Sequence, residues 1–497
     1  MDKTSADSLR FVDSEGRTRL FNGFNIDDKL IDCKEFRYNL DEEFFKKYRA
    51  NGFDFIRLAV TWQNIEPEPG RFNESYLESI DGIFELAGKY GVYILLDMHQ
   101  DLYSGFKGVG GGDGAPEWAC LTDGYKAKPY KFVWAEAYVF GKWVHRCFDH
   151  FWNNDPVEGK GLQDRYADVW RMLAQRYGGK PALFGFDFMN EPAPGTSGRK
   201  MAARFALSAA KCIAFGKEIK RSDIISALIK KDMKKLLDSV PGSIVRKIAC
   251  AVDGLEEEFD LNYYSPFLNK MAQTVREITP NGFLMIEQPF LCNGGVKLSV
   301  PPITVKGERE PNQCFGPHAY DMTVDTPLYK YANADRVKAF FREMRNSQLR
   351  LNVPVVVGEW GGCSDNKDTS WFPHAEELLD FFDEMQWGQS YWDYHGDDLD
   401  SPLMGLLCRT HPVAVDGTID YYRYDREKNV FTLKFRSEKE GKSEIFVHKP
   451  FEFLSENKYK IKEKFENGTS LVLVESQAGE NTVVIKIKDN KSGGMRV

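Results

Sequence analysis

Two glutamates, Glu191 and Glu359, each stand at the end of an apolar run of strand length in this chain of 497 residues. Glu191 belongs to Phe186-Asp-Phe-Met-Asn-Glu-Pro192, and Glu359 belongs to Val357-Gly-Glu-Trp-Gly-Gly362. If the fold brings these ends together, two carboxyl groups face each other across a cleft, as acid-assisted cleavage of a glycosidic bond requires. The alternative is that each is a solvated charge on a loop, as most single glutamates are. The pair, with its surroundings, favours the catalytic interpretation.

Eight strand-length apolar runs recur between residues 19 and 396, and most are followed by a helix-like stretch. Several runs are apolar on both faces, which is typical of parallel strands covered by helices. The predicted fold class is therefore α/β, with a (β/α)8 or TIM barrel whose reactive groups stand at the carboxyl ends of its strands. The eight predicted strands cover residues 20–26, 53–60, 92–99, 183–190, 283–290, 314–321, 353–360 and 389–395.

The pattern changes after the last of these strands. From about residue 411, short alternating runs are separated by turn residues such as Glu466-Asn-Gly468, which predicts a small antiparallel β-sandwich. We therefore predict two domains. The first is a catalytic barrel over residues 1–410, with a basic helical insertion at about residues 196–250, and the second is a C-terminal β-sandwich over residues 411–497.

The composition is that of a globular protein with a slight excess of acidic residues. The chain is 42% hydrophobic and 28% charged, unlike a disordered segment. Its net charge of −8 argues against a general phosphate-binding surface, so nucleic acid is not an expected partner. The histidines include no His-x-x-x-His, and no acidic cluster has ligand spacing, so neither a metal nor another cofactor is expected. The oligomeric state stays open.

No targeting or membrane-spanning signal is visible in the sequence. No stretch reaches the roughly 18 consecutive apolar residues of a membrane span, and residues 1–8 are polar. The nine cysteines are scattered and form no Cys-x-x-Cys pair, as in many proteins of reducing compartments. We therefore predict a cytoplasmic protein. Secretion is the alternative, because a sequence without its natural signal would look the same.

The motifs at the strand ends resemble those of glycoside hydrolase family 5. Asn190-Glu191-Pro192 matches the family's acid/base motif, and Glu359 occupies the place of its nucleophile. Within the family, the chain is most similar to endoglycoceramidases and related glucosylceramidases. This likeness is carried by Leu95-Leu-Asp-Met-His-Gln-Asp-Leu-Tyr-Ser104, Gly112-Asp-Gly-Ala-Pro-Glu-Trp-Ala119 and Arg409-Thr-His-Pro-Val-Ala-Val-Asp-Gly417. The resemblance covers most of residues 10–490.

The resemblance implies a double displacement that retains the stereochemistry of the sugar. Glu359 would attack the anomeric carbon, while Glu191 would donate a proton to the leaving oxygen and later activate water as a base. Arg57 and Tyr320 are expected to hold Glu359 ionised and oriented. Asn190 is expected to bond the 2-hydroxyl of the sugar.

Further side chains complete the predicted site. His99 and His318 are expected to act as neutral hydrogen-bonding supports, and Trp392 is expected to stack on the cleaved sugar. Glu287 is a third carboxyl group near the mouth, which we interpret as a hydrogen-bonding partner rather than a catalyst. By resemblance, three residues fall near sugar-contacting positions of endoglycoceramidases: Lys29, Asp101 and Trp134.

The resemblance does not explain residues 196–250, which carry thirteen Lys or Arg against four acids, a balance of +9. Apolar residues between 224 and 237 recur at helical spacing with lysines between them, so the pattern predicts one amphipathic helix that Pro241-Gly242 ends. One interpretation is a helix packed on the barrel with a solvated basic face. The other is a lid whose apolar face helps hold a lipid tail while its lysines contact anionic headgroups.

The leading hypothesis is a retaining β-glycosidase that cleaves glycolipids, either glucosylceramide-like lipids or longer glycosphingolipids. Contact with an anionic membrane or micelle surface is a further hypothesis. Two alternatives stay open, an endo-β-glucanase acting on soluble polysaccharide and a catalytically idle barrel that binds carbohydrate or lipid. The departures from the family pattern at Ala319 and Trp360 leave the sugar specificity open, and the motifs do not decide between endo and exo cleavage.

Overall fold

The structure, a computed structural model, describes residues 3–30, 32–105, 112–128, 134–216, 220–362, 365 and 367–488. The strands are β1 (Ser5–Asp7), β2 (Arg10–Val12), β3 (Thr18–Arg19), β4 (Asn22–Asp27), β5 (Phe55–Thr61), β6 (Tyr93–His99), β7 (Pro156–Val157), β8 (Lys160–Gly161), β9 (Leu183–Asp187), β10 (Phe283–Glu287), β11 (Thr304–Val305), β12 (Glu308–Arg309), β13 (Gln313–Gly316), β14 (Val356–Val357), β15 (Gly388–Tyr391), β16 (His411–Val415), β17 (Thr418–Asp425), β18 (Val430–Ser437), β19 (Gly441–Val447), β20 (Phe451–Phe453), β21 (Tyr459–Lys464), β22 (Ser470–Ser476) and β23 (Gly479–Ile487).

The α-helices are α1 (Glu42–Ala50), α2 (Trp62–Ile65), α3 (Glu74–Tyr90), α4 (Ala137–Phe140), α5 (Lys142–Trp152), α6 (Leu162–Tyr177), α7 (Ser197–Phe215), α8 (Arg221–Lys230), α9 (Met233–Asp238), α10 (Gly242–Ala249), α11 (Asp253–Phe259), α12 (Ser265–Arg276), α13 (Ala334–Leu351), α14 (Phe372–Met385) and α15 (Leu403–Leu407).

Parallel strands form the barrel in the order β4, β5, β6, β9, β10, β13, β14 and β15, and β15 pairs again with β4. Isolated parallel bridges, Phe315 to Val355 and His318 to Glu359, join the sixth strand to the seventh and close the ring. Strands β5 and β6 are buried at every position, because side chains fill the barrel and helices cover it. The predicted (β/α)8 fold is therefore confirmed.

The outer helices form where the sequence supplies both an apolar stripe and end caps. In α3, Tyr76, Ile80 and Phe84 lie on one face and are buried against the barrel. Asn73 caps its start by accepting a hydrogen bond from the N–H of Tyr76, and Gly91 ends it in the left-handed region with a φ of 70°. Helices of this kind hold the strands, and hence the strand ends, in fixed positions.

An aromatic cluster fills the barrel at the amino ends of its strands. Phe11, from β2, places its ring centroid 5.4 Å from Phe21, 5.5 Å from Phe184 and 5.0 Å from Phe283. These rings meet edge to face, which is a favoured arrangement of aromatic side chains. The N-terminal segment therefore plugs the end of the barrel opposite the predicted active site.

The C-terminal strands form two antiparallel sheets around a shared apolar core, as predicted for the β-sandwich. One sheet has the order β17-β18-β23-β20. The other has the order β1-β2-β3-β16-β19-β22-β21, so residues 5–19 extend a C-terminal sheet through the pairing of β3 with β16, although the predicted boundary assigned them to the barrel. Arg17 Nη1 also lies 3.0 Å from Glu444 Oε1. Strands of two or three residues carry too little periodicity for a sequence pattern to assign them.

The described part of residues 196–250, called here the insertion, forms α7, α8, α9 and α10. One helix was predicted over residues 224–237, but the structure divides it. Lys231 has a left-handed φ of 53°, and Asp232 caps α9 by accepting from the N–H of Lys235. Residues 217–219 and the side chain of Leu228 lie outside the described residues. Within the described ranges, no helix is both long and apolar enough to span a membrane.

Candidate active site

The barrel brings Glu191 and Glu359 together at the carboxyl ends of its strands. Glu191 follows β9, Glu359 follows β14, and both side chains are buried. A carboxylate oxygen of one lies within 4.8 Å of a carboxylate oxygen of the other. Retaining glycosidases hold these groups roughly 5–5.5 Å apart and inverting ones roughly 6.5–9.5 Å. The separation is therefore that of a retaining pair.

Two donors hold the carboxylate of Glu359. Arg57 Nη1 donates to Oε1 at 2.8 Å, and the hydroxyl of Tyr320 donates to Oε2 at 2.7 Å. Charge-assisted hydrogen bonds to both oxygens fix the plane of the carboxylate. The structure therefore brings together the three residues that were predicted to form the nucleophile and its supports.

Glu191 has a different environment. Its Oε1 accepts a hydrogen bond from Asn293 Nδ2 and lies 3.1 Å from His318 Nδ1. Its backbone has a left-handed φ of 40°, an uncommon and strained conformation for a residue with a side chain, and its N–H donates to Glu287 Oε1 at 3.0 Å. Burial, joined by the negative charge of Asp101, raises the pKa of Glu191 to about 7. Such a carboxyl group keeps its proton at weakly acidic pH and can donate it as a general acid.

Arg57 is fully buried in the barrel and contacts three carboxyl groups besides that of Glu359. Its Nη2 lies 3.1 Å from Asp97, 3.0 Å from Asp187 and 3.3 Å from Glu287. Burial disfavours the Arg57 cation, but the acids outweigh burial and raise its pKa. Burial raises the pKa of Asp187 to about 6, and it raises that of Glu287 well above its usual range. Glu287 thus acts as the hydrogen-bonding partner that the sequence predicted.

The two predicted support histidines differ in the direction of their pKa shifts. Burial lowers the pKa of His318 to about 3, which agrees with the predicted neutral form. Burial also disfavours the His99 cation, but Asp97 and Asp101 outweigh it and raise the pKa of His99 to about 10. Nδ1 of His99 lies 2.8 Å from Asp97. The raised pKa has a local cause, because the strand supplies a buried carboxylate two residues earlier, and the predicted neutral form of His99 stays a prediction.

Lys29, Asp101 and Trp392 form one cluster beside the two glutamates. Lys29 Nζ lies 2.6 Å from Asp101 Oδ2 and 4.3 Å from the ring centroid of Trp392. The His99 ring stacks on Trp392 with centroids 5.1 Å apart. An aromatic face beside ion-paired side chains offers both contacts that a sugar needs, one for its apolar face and one for its hydroxyls.

Asn190 and Trp134 also lie at the site, and each already has hydrogen-bond partners. Asn190 Oδ1 accepts from Arg57 at 3.0 Å, and its Nδ2 donates to the carbonyl of Gln100 at 3.1 Å. Trp134 Nε1 donates to Asp325 Oδ2 at 2.9 Å. The amide of Asn190 is thus held in one orientation, and its proposed contact with a 2-hydroxyl stays a prediction.

The side chains predicted for the site, except Arg57, His318 and Glu287, line one cleft of about 680 Å³, and so does Asn293. We call the portion around Glu191, Glu359, Lys29 and Trp392 the polar part. The apolar part is formed by the insertion and by the loops after the fifth and sixth barrel strands. Its members include Met201, Phe205, Val245, Phe290, Leu291 and Met322. The cleft therefore joins a two-carboxylate site to an apolar wall.

Three groups of acids and histidines in the described residues are close enough to hold a metal ion. Two of them already surround a side-chain cation, since Lys29 lies within 3.8 Å of Asp101 and Asp113, and Arg57 contacts the group of Asp97, Asp187 and Glu287. The third consists of Glu191, His318 and Glu359, the proposed catalytic residues and their support. None of the three is assigned to a metal, and the predicted absence of one stays a prediction.

Sequence reasoning missed several residues of this site. Asp97 and Asp187 are single acids within apolar strands, and this interruption of the pattern was the available signal. Asn293 belongs to a short turn after β10, and no motif marks it. It is positioned by a loop whose Phe290 N–H donates to the carbonyl of Pro192 at 3.1 Å.

Comparison with protein families agrees with this geometry. The model described as cellulase (glycosyl hydrolase family 5) matches residues 12–225 and 261–398. The model described as the glycoside hydrolase family 5 C-terminal domain matches residues 409–497. The chain belongs to glycosyl hydrolase family 5.

Individual relatives show which members of the family the chain is similar to. The chain is 24% identical over 466 residues to endoglycoceramidase I of Rhodococcus hoagii (strain 103S), covering 89% of this chain and 79% of that protein. It is 24% identical over 422 residues to a glucosylceramidase of Rhizopus delemar, covering 65% of this chain and 60% of that protein. The solved structure of endo-glycoceramidase II from Rhodococcus sp. superposes with a TM-score of 0.70 at 21% identity, over 97% of this chain and 100% of that one, which establishes the fold.

Proposed function

We propose that this protein is a retaining β-glycosidase that cleaves glycolipids. The observation that carries the proposal is the cleft itself, because one cavity joins the Glu191 and Glu359 pair to an apolar wall. A glycolipid has a sugar for the polar part and a lipid for the apolar part. Relatives named endoglycoceramidase and glucosylceramidase support the same substrate class.

In the first step, Glu359 attacks the anomeric carbon while Glu191 donates its proton to the glycosidic oxygen. The bond from the anomeric carbon to that oxygen breaks, the lipid leaves as an alcohol, and the sugar becomes an ester of Glu359. Arg57 and Tyr320 orient the attacking oxygen. Because its pKa is raised, the Glu191 carboxyl group still carries a proton near neutral pH and can donate it.

In the second step, water enters and hydrolyses the ester between the sugar and Glu359. Esterification removes the negative charge of Glu359, so the neighbouring Glu191 carboxylate loses a repulsive partner and acts as a base. Glu191 takes a proton from water, whose oxygen attacks the anomeric carbon, and the bond to Glu359 breaks. Two inversions at one carbon give a sugar of retained configuration.

The apolar part argues against the two alternatives. An endo-β-glucanase must bind sugar on both sides of the cleaved bond, and sugar subsites need hydrogen-bonding groups beside aromatic faces. Here the apolar part is supplied by side chains such as Met201, Phe205, Val245 and Leu291. An idle binding barrel needs no donor to Glu359 and no raised pKa at Glu191, yet both are present.

We further propose that the protein meets its substrate at a lipid surface, since glycolipids lie in bilayers or micelles rather than free in water. The basic charge of the insertion supports this proposal, because anionic headgroups attract lysines placed near them.

The test is to incubate the protein with glucosylceramide, lactosylceramide, a soluble β-glucan and an aryl β-glucoside, and to identify every product. Glycolipid cleavage with retained configuration is the expected result, and the product from lactosylceramide separates release of a monosaccharide from release of the disaccharide. Cleavage of β-glucan alone would make the protein a glucanase. If Glu359→Gln were as active as the wild type on every substrate, the proposed mechanism would be wrong.

A further inference from the structure

The insertion exposes an unusual number of large apolar side chains. Six of the seventeen such side chains that are exposed in the described part of the chain lie between residues 207 and 233. Phe215 is 80% exposed and Ile229 is 78% exposed. The six are Leu207, Ile213, Phe215, Ile225, Ile229 and Met233. Exposed large apolar side chains concentrated in one segment cost free energy in water and are typical of an interaction site.

Lysines accompany these side chains. Lys230 and Lys231 follow Ile229 directly, both are exposed, and neither has an acidic partner among the described residues. Lys234 and Lys235 are less available, because they pair with Asp238 and Asp223. An exposed apolar group beside unpaired cations is the composition of a helix that lies in a membrane interface.

The exposed group is anchored to the rest of the protein. In α10, Ile244 and Ile248 are buried and pack against Phe205 of α7 and Ile224 of α8. Arg336 of α13 donates to the carbonyl of Leu237 at 2.9 Å, which fixes the end of α9. The apolar side chains are therefore presented on an anchored set of helices.

The same helices form the apolar part of the cleft. Helix α7 lines the cleft through Met201 and Phe205 and carries Leu207 and Phe215 outside it. Phe140, at the end of α4 and in contact distance of α7, lines the cleft and is also 75% exposed. Helix α7 thus carries exposed apolar side chains and also lines the cavity proposed to hold lipid.

We infer that the six apolar side chains, together with Lys230 and Lys231, form a docking surface for an anionic phospholipid bilayer. The inference rests on the proposed function for its purpose, since docking here places the apolar part of the cleft beside the layer that holds the lipid substrate. Apolar side chains enter the headgroup region while the lysines meet phosphate groups. A second copy of the chain is a poorer occupant, because a two-fold contact would place these lysines near one another.

The experiment is co-sedimentation of the full chain with vesicles of phosphatidylcholine, with and without phosphatidylglycerol and with no glycolipid present. Lys230→Glu with Lys231→Glu is the test variant. Lys460→Glu with Lys464→Glu makes the same change of net charge on exposed positions of β21 and is the matched control. We expect the test variant to bind anionic vesicles at least roughly tenfold more weakly than the wild type, and the control to bind like the wild type.

A second pair, Phe215→Ser with Ile229→Ser, tests the apolar contribution. It is expected to weaken the binding that persists at high salt, where the lysines are screened. Equal losses in the lysine variant and its control would show that only net charge matters, and wild-type binding by both test pairs would overturn the docking surface. If the apolar pair instead converted a dimer to a monomer without changing vesicle binding, the surface would be a contact between copies.

The same measurements separate this inference from the proposed function. Vesicle binding without cleavage of any glycoside would leave the docking surface standing and remove the enzymatic proposal. Cleavage of glycolipid dispersed in detergent, with no vesicle binding, would support the enzymatic proposal and overturn the docking surface.

Discussion

The polar and apolar parts of the cleft are built in different ways. Side chains of the polar part come from barrel strands and their ends, and their oxygens are held by buried donors such as Arg57. The apolar part comes from the insertion, whose helices share a small core around Ile244 and Ile248, and from loops outside the strands. The comparison shows that the strands position the catalytic groups, while segments outside the strands form the wall proposed to hold the lipid. Leaving-group specificity can therefore change without altering the catalytic strands.

The largest expected effect comes from removing the nucleophile. Glu359→Gln should lower kcat/KM on the order of 10⁵-fold, because no covalent intermediate can form. The loss should be equal on a glycolipid and on an aryl β-glucoside, since the polar part serves both. Steady-state rates on the two substrates test this expectation. A loss confined to the glycolipid would contradict the assignment of chemistry to the polar part.

Glu191→Ala should have the next largest effect, and one that depends on the leaving group. A general acid contributes roughly 10²- to 10⁴-fold, so glycolipid cleavage should fall within that range. Aryl glycosides with good leaving groups should lose less in the first step because departure needs no proton. Added azide should restore turnover and give a glycosyl azide of retained configuration. An azide product of inverted configuration would exchange the roles of Glu191 and Glu359.

A change in the apolar part should separate the substrates. Phe205→Ser removes an aromatic face from the wall of the cleft and should lower kcat/KM on a glycolipid roughly tenfold. The loss on a short aryl glucoside should be smaller. Because Phe205 also packs on α10, the melting temperature should be measured alongside. Equal losses with an unchanged melting temperature would contradict the division of the cleft into two parts.

The smallest expected effect is a shift in pH dependence. The negative charge of Asp101 helps raise the pKa of Glu191, so Asp101→Asn should lower that pKa. A general acid works only while protonated, so the alkaline limb of kcat/KM should move to lower pH. Lys29→Met is the opposing control, because it removes a positive charge that offsets Asp101 and should move the limb to higher pH. If the alkaline limb of kcat/KM lay at the same pH in the wild type and both variants, Asp101 would not influence the pKa of Glu191.

The sequence predicts the barrel and its glutamate pair well because both follow from strand periodicity. An apolar run ending in a polar residue marks the carboxyl end of a strand, and Glu191 and Glu359 stand at two such ends. Asn293 was not predictable in this way, since a turn outside the strands positions it. The raised pKa of His99 also escaped prediction, because it depends on how close Asp97 and Asp101 come in three dimensions.

The insertion shows more clearly than His99 or Asn293 what hydrophobic periodicity cannot predict. Helical spacing between residues 224 and 237 was visible, but the left-handed Lys231 divides it into α8 and α9. One of the two interpretations of this spacing, a helix packed on the barrel, would bury the apolar residues, whereas Ile225 and Ile229 are exposed. A hydrophobic pattern reports which side chains share a face, and it does not report whether anything covers that face.

The pairing of β3 with β16 has a consequence for synthesis. Strand β3 leaves the ribosome before the barrel does, yet β16 begins only at His411, after the whole barrel. A nascent chain that stops within the barrel carries an unpaired strand edge, and exposed edges are templates for aggregation. Translation must therefore pass β16 before β3 can pair with it, and premature termination anywhere before β16 should yield a product that chaperones or proteases remove.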